Sequence, residues 1–279
     1  MFNQIIAAML SFFMTVLQFL GISYYPFGQK VDMDKFELTF SDEFDSELDR
    51  SVWSGHYVWG DASQPRKGSY WNTNLAYTKD GNLVIPMKYL TDGMGGTGEG
   101  WYSAGIDTDD DSPNGFSQKY GYFEVRCILP DLPSGWAAFW LMNEGVYNED
   151  GSGEDGTEID IFESDCTLRN QKNAVGINLH YDGYGEAHES MGTIKMLLKG
   201  DPYKEYNTYG LEWNENEYIF YINGVEAHRT SYGGVSKNPE YLILSYELMG
   251  ENGVAEYSDL DKTKEYQYIV DYVRVYQYK

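Results

Sequence analysis

The chain has 279 residues and a formal net charge of -24, from 44 acidic and 20 basic side chains. This charge repels phosphate backbones and anionic lipid headgroups, so we expect no nucleic acid partner, whereas neutral ligands remain compatible. Tyr, Trp and Phe make up 16% of the residues, and few stretches have the composition of amphipathic helices, which favours strands and turns.

A hydrophobic run at residues 5–22 precedes the first predicted strand. Its length is typical of the core of a secretory signal or of a short membrane helix. We therefore expect a secreted or cell-surface protein, and we assign residues 1–30 to an N-terminal leader or anchor. A cleaved signal and a retained anchor both stay open, because "MFNQ" has no basic residue and no clear cleavage site follows. Contact with a membrane is expected only there.

Cysteine is scarce: the chain contains only Cys127 and Cys166. Two cysteines can form neither a disulfide framework nor a four-thiolate zinc site. The favoured interpretation is two buried free thiols, and a single bridge between them remains open.

Short alternating segments separated by turn signals follow from residue 31 to the end of the chain. Ten of them, rich in aromatic and β-branched residues, predict strands: 36–40, 82–90, 120–129, 135–142, 157–164, 173–181, 206–213, 217–224, 241–248 and 268–278. Asn223 and Gly224 predict a hairpin turn. Without a linker or an internal repeat, residues 31–279 are predicted to form one all-β domain, a sandwich or jelly roll of antiparallel strands. We expect it to be a monomer.

The segment "GTEIDIFES", residues 156–164, carries three acids close together. In an extended strand Glu158 and Asp160 share one face, whereas Glu163 has the opposite parity and would point into the core. An unpaired charge buried there is very unfavourable. A β-bulge in which Ile161 and Phe162 face one residue of the neighbouring strand would return Glu163 to the acidic face. The sequence therefore predicts a bulge.

Three interpretations of this strand are compatible with its pattern. Retaining glycosidases use two carboxyl groups about 5 to 5.5 Å apart, one as nucleophile and one as acid and then base. Crowding of like charges would raise the pKa of at least one of them. The alternatives are an acidic solvent face of an edge strand, and a cation site.

Several motifs resemble glycoside hydrolase family 16, whose signature in its bulged form is E-I-D-x-x-E. The match covers almost the whole domain, in the family's order: "FSDEFD", "YGYFEVRCILP", "GWAAFWLM", "TEIDIFES", "GINLHYDG", "YGLEWNENEYIFYINGVE" and "VDYVRVYQ". The resemblance implies a concave β-jelly-roll sandwich of two antiparallel sheets, the concanavalin A-like fold of lectins and glucanases. Its cleft would bind a β-linked polysaccharide.

The same resemblance implies roles for the three acids. Glu158 would be the nucleophile, Glu163 the general acid/base, and Asp160 the residue that orients and tunes the nucleophile. The implied reaction is hydrolysis with retention, and it needs no organic cofactor or catalytic metal. Members of the family often hold a structural calcium ion on the convex side, and the matching positions here are Glu43, Gly81 and Asp271.

Positions that match the family's cleft give candidate substrate-binding residues. They are Asn74, Trp136, His180, Tyr246 and Glu247. For the two tryptophans of "GWAAFWLM" we expect a cleft position for Trp136 and a core position for Trp140. His180 is interpreted with equal weight as a site residue or a structural histidine.

The expected substrate is a β-1,3- or mixed β-1,3/1,4-glucan, cleaved internally. Alternatives are a red-algal galactan or xyloglucan, or a carbohydrate-binding protein without catalysis, because fold alone does not fix function. The chain lacks a tryptophan in "GEDGTE" and an arginine in "YSAGIDT" that many β-1,3-glucanases carry. The resemblance thus leaves the polysaccharide open.

Overall fold

The computed structural model describes residues 22–23, 28–55, 62–66, 69–109, 111–132, 135–164, 174–192, 194–197, 201–248 and 260–279. Cys127 is a buried free thiol, whereas Cys166 and residues 5–21 of the hydrophobic run lie outside the described residues. None of the described helices has the length and hydropathy that a membrane span requires.

The first sheet contains the acidic strand at its centre. Its strands, in spatial order, are β1 (Ile22–Ser23), β15 (Ile194–Leu197), β13 (Ala174–Tyr181), β12 (Glu158–Glu163), β11 (Gly135–Met142), β19 (Glu240–Leu248) and β8 (Gly105–Asp107). Two short strands extend it: β14 (Glu189–Ser190) pairs with β13, and β9 (Ser117–Gln118) pairs with β19. The strand that carries the three acids is therefore flanked on both sides.

The second sheet lies behind the first. Its strands, in spatial order, are β18 (Val225–Thr230), β17 (Tyr218–Ile222), β16 (Asn207–Trp213), β10 (Gly121–Ile128), β20 (Tyr266–Tyr278), β6 (Asn82–Leu90), β7 (Gly100–Ser103), β4 (Ser69–Asn72) and β3 (Ala62–Arg66). The strand β2 (Phe36–Asp42) pairs with β20, and β5 (Tyr77–Lys79) pairs with β6. The described helices are short 3-10 turns at Met33–Lys35, Thr73–Leu75 and Glu144–Tyr147.

Among the described strands, pairing is antiparallel except for two short pairs, β1 with β15 and β4 with β7. The main core fills the space between the sheets, because alternate side chains of each strand point inward. Phe139 and Ile159 of the first sheet meet Phe123 and Leu211 of the second in this core, and all four are fully buried. The predicted all-β jelly-roll sandwich is confirmed.

A smaller apolar cluster lies on the opposite face of the first sheet. Its members are Ala138, Trp140, Met142, Val146, Tyr241 and Ile243. Trp140 pairs directly with Asp160, and directly paired residues point to the same side of a sheet. The cluster therefore shares its side of the sheet with the acids, and we call this side the acidic face.

The domain includes residues that the sequence assigned to the leader. Ile22 and Ser23 pair in parallel with Lys195 and Met196 of β15, and Lys30 forms an antiparallel bridge with Val225. The backbone of these residues thus pairs with the two sheets, and the boundary at residue 30 stays a prediction.

Candidate active site

The strand β12 contains the predicted bulge. Between Asp160 and Glu163 its register shifts against β13, so that two residues face one. Those two, Ile161 and Phe162, are both buried in the main core. The bulge leaves Glu163 on the acidic face, as the parity of the side chains predicted.

Glu163 is held from the two neighbouring strands. The indole Nε1 of Trp136 on β11 donates to its Oε1 at 2.8 Å. The side-chain amide of Asn178 on β13 donates to its Oε2. Since each carboxyl oxygen has a donor and only 7% of the residue is exposed, the orientation of Glu163 is fixed.

Glu158, at the start of β12, is held by residues of β13 and of the loop that follows it. The hydroxyl of Tyr184 donates to its Oε2, and Nε2 of His180 lies 3.9 Å from its Oε1. These contacts differ from those of Glu163, so the two glutamates lie in different surroundings on one face.

Asp160 lies between the two glutamates and is buried. Its Oδ2 faces Nε2 of His180 at 3.5 Å and forms no hydrogen bond within the described part of the chain. His180 in turn places Nδ1 2.9 Å from Nε2 of His188, and the two rings stack with centroids 5.1 Å apart. One of these two nitrogens must carry the proton, so His188 orients His180 toward the acids.

Burial raises the pKa of all three acids, and repulsion from neighbouring acids adds to this effect at Glu158 and Glu163. Burial and the charge of Asp160 raise the pKa of Glu158 to about 7, although His180 and the Tyr184 hydrogen bond oppose this shift. Burial likewise raises the pKa of Asp160. For Glu163, burial and then the charges of Asp160 and Glu158 hold the pKa well above its ordinary value. A protonated acid and an ionised one can therefore coexist near neutral pH.

Glu158 and Glu163 can therefore provide an ionised carboxylate and a protonated carboxyl group on one face of the sheet. A retaining glycosidase uses one group of each kind. Glu158, Asp160 and His180 also place one ligand atom each within 4.8 Å of one another, so they could hold a metal ion. Such an ion would occupy the carboxylate oxygens that a nucleophile needs.

The two tryptophans of β11 lie on the same side of the sheet. Trp136 is half-buried beside Glu163, as expected for a cleft position. Trp140 is buried, but in the small cluster on the acidic face and with its Nε1 donating to Ser245 Oγ at 3.1 Å. The expected core position of Trp140 is confirmed, but its apolar cluster lies on the acidic face and not between the sheets, because residues four apart on a strand point the same way.

Tyr246 does not belong to the site. Its side chain is fully buried in the main core, and it pairs with Ala137, which also points into that core. The next residue, Glu247, pairs with Trp136 and points to the acidic face, where 8% of it is exposed. Of these two candidates only Glu247 lies on the side of the acids.

Asn74 lies in the 3-10 turn after β4 and is exposed. Its backbone N–H donates to Asn72 Oδ1, and none of its contacts in the described part of the chain reaches the three acids. Its neighbours Trp71 and Thr73 approach the first sheet instead, because both donate to the carbonyl oxygen of Gly105, at 3.1 and 3.2 Å.

Both acids among the residues expected to hold calcium carry arginine partners. Asp271 forms an ion pair with Arg126, and the Glu43 carboxylate accepts two hydrogen bonds from Arg274, at 2.8 and 2.7 Å. Gly81 has a positive φ of 70°. The resemblance implies binding through backbone oxygens at Glu43 and Gly81, so Asp271 is the one side-chain ligand in this set. Since Arg126 already neutralises Asp271, these residues fit a calcium ion poorly as they are arranged.

Three residues of the site were not among the sequence candidates: Asn178, Tyr184 and His188. Asn178 could have been found, because it lies two positions before His180 on one strand and so shares its face. Tyr184 and His188 lie in or beside the loop between β13 and β14, where no periodicity reports which side chains turn toward the site.

Comparison with known proteins places the chain in a family. Residues 35–278 match the domain described as "Beta-porphyranase A-D, GH16 domain". Endo-1,3-1,4-beta-glycanase ExsH of Rhizobium meliloti (strain 1021) is 26% identical over 281 residues, which cover 90% of this chain and 54% of that protein. Keratan-sulfate endo-1,4-beta-galactosidase of Sphingobacterium multivorum is 29% identical over 260 residues, which cover 87% of this chain and 55% of that protein. The chain thus spans about half the length of these curated relatives.

Solved structures share the fold. The catalytic domain of an endo-1,3-beta-glucanase (laminarinase) from Thermotoga petrophila RKU-1 superposes with a TM-score of 0.66 at 24% identity, covering 88% of this chain and 98% of that one. SCLam, a non-specific endo-beta-1,3(4)-glucanase, gives a TM-score of 0.69 at 22% identity, covering 91% and 96%. With the domain match over most of its length, the chain belongs to glycoside hydrolase family 16 and is a glycoside hydrolase.

Proposed function

We propose that this domain cleaves a β-linked polysaccharide at internal bonds by double displacement, with retention of configuration at the anomeric carbon. The observation that carries the proposal is the bulge in β12, which brings Glu163 to the same face as Glu158 while leaving each in its own hydrogen-bonding environment. Two carboxyl groups of unequal surroundings are what an acid and a nucleophile require.

In the first step an ionised oxygen of Glu158 attacks the anomeric carbon. The bond from that carbon to the glycosidic oxygen breaks, and protonated Glu163 gives its proton to this leaving oxygen. The products are a glycosyl ester of Glu158 and a polysaccharide fragment with a new hydroxyl. The raised pKa of Glu163 supports this role, because a carboxyl group must hold its proton near neutral pH in order to donate it.

In the second step Glu163, now ionised, takes a proton from water. The water oxygen attacks the anomeric carbon, and the ester bond to Glu158 breaks. Glu158 leaves as a carboxylate and Glu163 is a protonated acid again, so the cycle closes. Two inversions at one carbon give net retention.

Asp160 and His180 tune the nucleophile in this mechanism. The raised pKa of Asp160 favours its protonated form, which avoids a second negative charge beside Glu158. His180 lies 3.5 Å from Asp160 and 3.9 Å from Glu158, and it favours the ionised form of Glu158. No organic cofactor or catalytic metal enters these steps.

For the substrate we propose a β-1,3- or mixed β-1,3/1,4-glucan. Support comes from the names of relatives, which include an endo-1,3-1,4-beta-glycanase and a laminarinase. A second candidate is a β-linked galactan, because the matching domain is of the β-porphyranase type and another relative is a keratan-sulfate endo-1,4-beta-galactosidase. The overall charge of -24 weighs against a sulfated polymer, since like charges repel.

We also propose that the domain acts outside the cell or at its surface, as a monomer. A polysaccharide is too large to cross a membrane unaided, and the hydrophobic run at residues 5–22 has the length of an export or anchoring segment.

A substrate screen tests the proposed function. Wild type and Glu158→Gln are incubated with laminarin, barley glucan, xyloglucan, agar, porphyran, carrageenan and keratan sulfate, and released reducing ends are measured. We expect wild type to release oligosaccharides of several lengths from a β-glucan and Glu158→Gln to release none. Equal inactivity of both proteins on the whole panel would exclude the enzyme and leave a carbohydrate-binding protein.

A further inference from the structure

Two exposed tyrosines lie together at the edge of the site. In the described part of the chain, four large apolar or aromatic side chains are strongly exposed: Met33, Leu38, Tyr147 and Tyr184. Tyr147 and Tyr184 are 39% and 48% exposed, and their rings meet edge to face with centroids 5.8 Å apart. Exposed aromatic groups that gather beside a cleft mark a ligand-binding surface.

The backbone around this pair is fixed. Gly183 donates its N–H to the carbonyl oxygen of Val146 at 2.6 Å, which ties the loop of Tyr184 to the turn of Tyr147. The carboxylate of Asp182 accepts the N–H groups of Asp150 and Gly151 at 3.1 Å each. Two segments distant in sequence are thus joined beneath the two rings, so the pair is preorganised.

The pair is connected to the candidate nucleophile. The hydroxyl of Tyr184 donates to Glu158, and the ring of Tyr184 lies 5.7 Å from that of His188, which stacks on His180. A row of aromatic rings therefore leads from the acids to the surface. Any group that packs on Tyr184 lies beside the atoms that react.

We propose that Tyr147 and Tyr184 form a subsite for an uncharged sugar ring of the polysaccharide, next to the anomeric carbon that Glu158 attacks. The inference rests on the proposed function. Tyrosine rings give flat apolar area of fixed orientation, and the C–H faces of a sugar ring can pack on it while its hydroxyls stay in water.

Charge favours a neutral sugar at this subsite. The carboxylate of Glu149 lies beside the loop that carries Tyr184. Its Oε1 is 3.7 Å from the point where a Cβ atom would lie if Gly185 had a side chain. Glu158 lies at the other end of the Tyr184 side chain. Two carboxylates on either side disfavour a sulfated or carboxylated sugar.

The test compares Tyr147→Ala with Leu38→Ala. Leu38 is also an exposed apolar residue, at 54% against 39% for Tyr147, but it lies on β2 of the second sheet and outside the site. On the polysaccharide that wild type cleaves, we expect Tyr147→Ala to raise KM about 10-fold with kcat within about 2-fold of wild type. Leu38→Ala should match wild type in both constants.

Variants of Tyr184 separate the ring from the hydroxyl. Tyr184→Phe keeps the ring, so KM should stay near that of wild type. It removes the hydrogen bond that lowers the pKa of Glu158, so the acid limb of kcat/KM should move to higher pH, with Asp160 and His180 still facing Glu158. Tyr184→Ala should show both changes. A merely structural role for the ring predicts no such division.

The outcomes are distinct. The subsite is refuted if Tyr147→Ala and Tyr184→Ala leave KM as Leu38→Ala does. If wild type cleaves nothing, binding is measured instead, as the retardation of each protein in gels that contain the panel polysaccharides. If wild type is retarded and Tyr147→Ala is not, the subsite is supported while the hydrolytic function fails. If wild type is not retarded, the subsite and the hydrolytic function are both refuted. If a sulfated polymer is the one cleaved and Tyr147→Ala raises KM for it, the preference for a neutral sugar is wrong.

Discussion

The indole N–H of Trp136 on β11 donates a 2.8 Å hydrogen bond to Oε1 of Glu163 on β12. This bond favours the ionised form of Glu163 and so lowers its pKa against the stronger effects of burial and neighbouring charge. Glu163 must both give and take a proton, and the Trp136 hydrogen bond keeps its pKa from rising further.

Trp136→Phe tests this relationship. The variant keeps an aromatic ring but removes the donor, so the pKa of Glu163 rises and its position loosens. We expect kcat to fall by about 10-fold or more and the alkaline limb of the pH profile to move to higher pH. Trp140→Phe is the matched control, because the Trp140 indole donates to Ser245 Oγ at 3.1 Å. Equal effects of both variants would contradict the role of Trp136.

The pH dependence of kcat/KM follows from the two glutamates. Glu158 must be ionised and its pKa is about 7, so activity should rise through about pH 7. Glu163 must be protonated, and its raised pKa places the loss of activity at more alkaline pH. We expect a bell with its maximum above pH 7, whose limbs belong to the coupled acids together. In Glu163→Ala, assayed with an aryl glycoside whose leaving group needs no proton, the alkaline limb should vanish. A maximum below pH 5 would refute these assignments.

The buried acids should also make the stability of the fold depend on pH. The pKa of Glu158 rises from an ordinary 4.5 to about 7 on folding. The folded state therefore binds a proton at Glu158 more tightly than the unfolded state does. This protonation stabilises the fold fully below about pH 4.5, and the stabilisation is lost as the pH rises through 7. Glu158→Gln should have a higher Tm than wild type at pH 8.5, by a few degrees at about 2–4 °C per kcal/mol, and a smaller gain at pH 4.5.

Glu37→Gln serves as the control for that measurement. Glu37 is exposed on β2, so its substitution should change Tm equally little at both pH values. If the gain in Tm of Glu158→Gln does not grow with pH, the ionised carboxylate of Glu158 does not destabilise the fold.

Calcium should not stabilise this chain. The Asp271 carboxylate is paired with Arg126, whose guanidinium also lies 4.2 Å from the centroid of the Tyr206 ring. We expect addition of EDTA or of calcium to shift Tm by less than about 1 °C, measured by differential scanning calorimetry. A fall in Tm with EDTA that calcium reverses would restore the metal site.

The fold and the acidic face could be predicted because each depends on side-chain parity. The bulge is an example: a charge at Glu163 cannot be buried unpaired, so the chain must insert a residue where Ile161 and Phe162 both turn inward. Alternation also explains why Tyr246, a sequence candidate for the cleft, lies in the main core instead. Adjacent residues of a strand face opposite sides, so Tyr246 and Glu247 could not both reach the cleft.

The loop residues of the site could not be predicted in this way. Tyr184 and His188 follow β13, where Asp182 and Gly183 adopt positive φ values of 60° and 68°. Such a turn obeys no hydrophobic period, and its direction depends on hydrogen bonds to a segment more than thirty residues earlier, such as that from Gly183 to Val146. Contacts of this kind appear only once the chain is folded.

The anomeric configuration of the first product tests the proposed chemistry most directly. Proton NMR spectra recorded during hydrolysis of the substrate identified by the screen show whether the new reducing end forms as the β or the α anomer, before the two equilibrate. Attack by Glu158 followed by water predicts the β anomer first, and no product with Glu158→Gln. Initial formation of the α anomer would mean a single displacement by water and would contradict a glycosyl ester on Glu158.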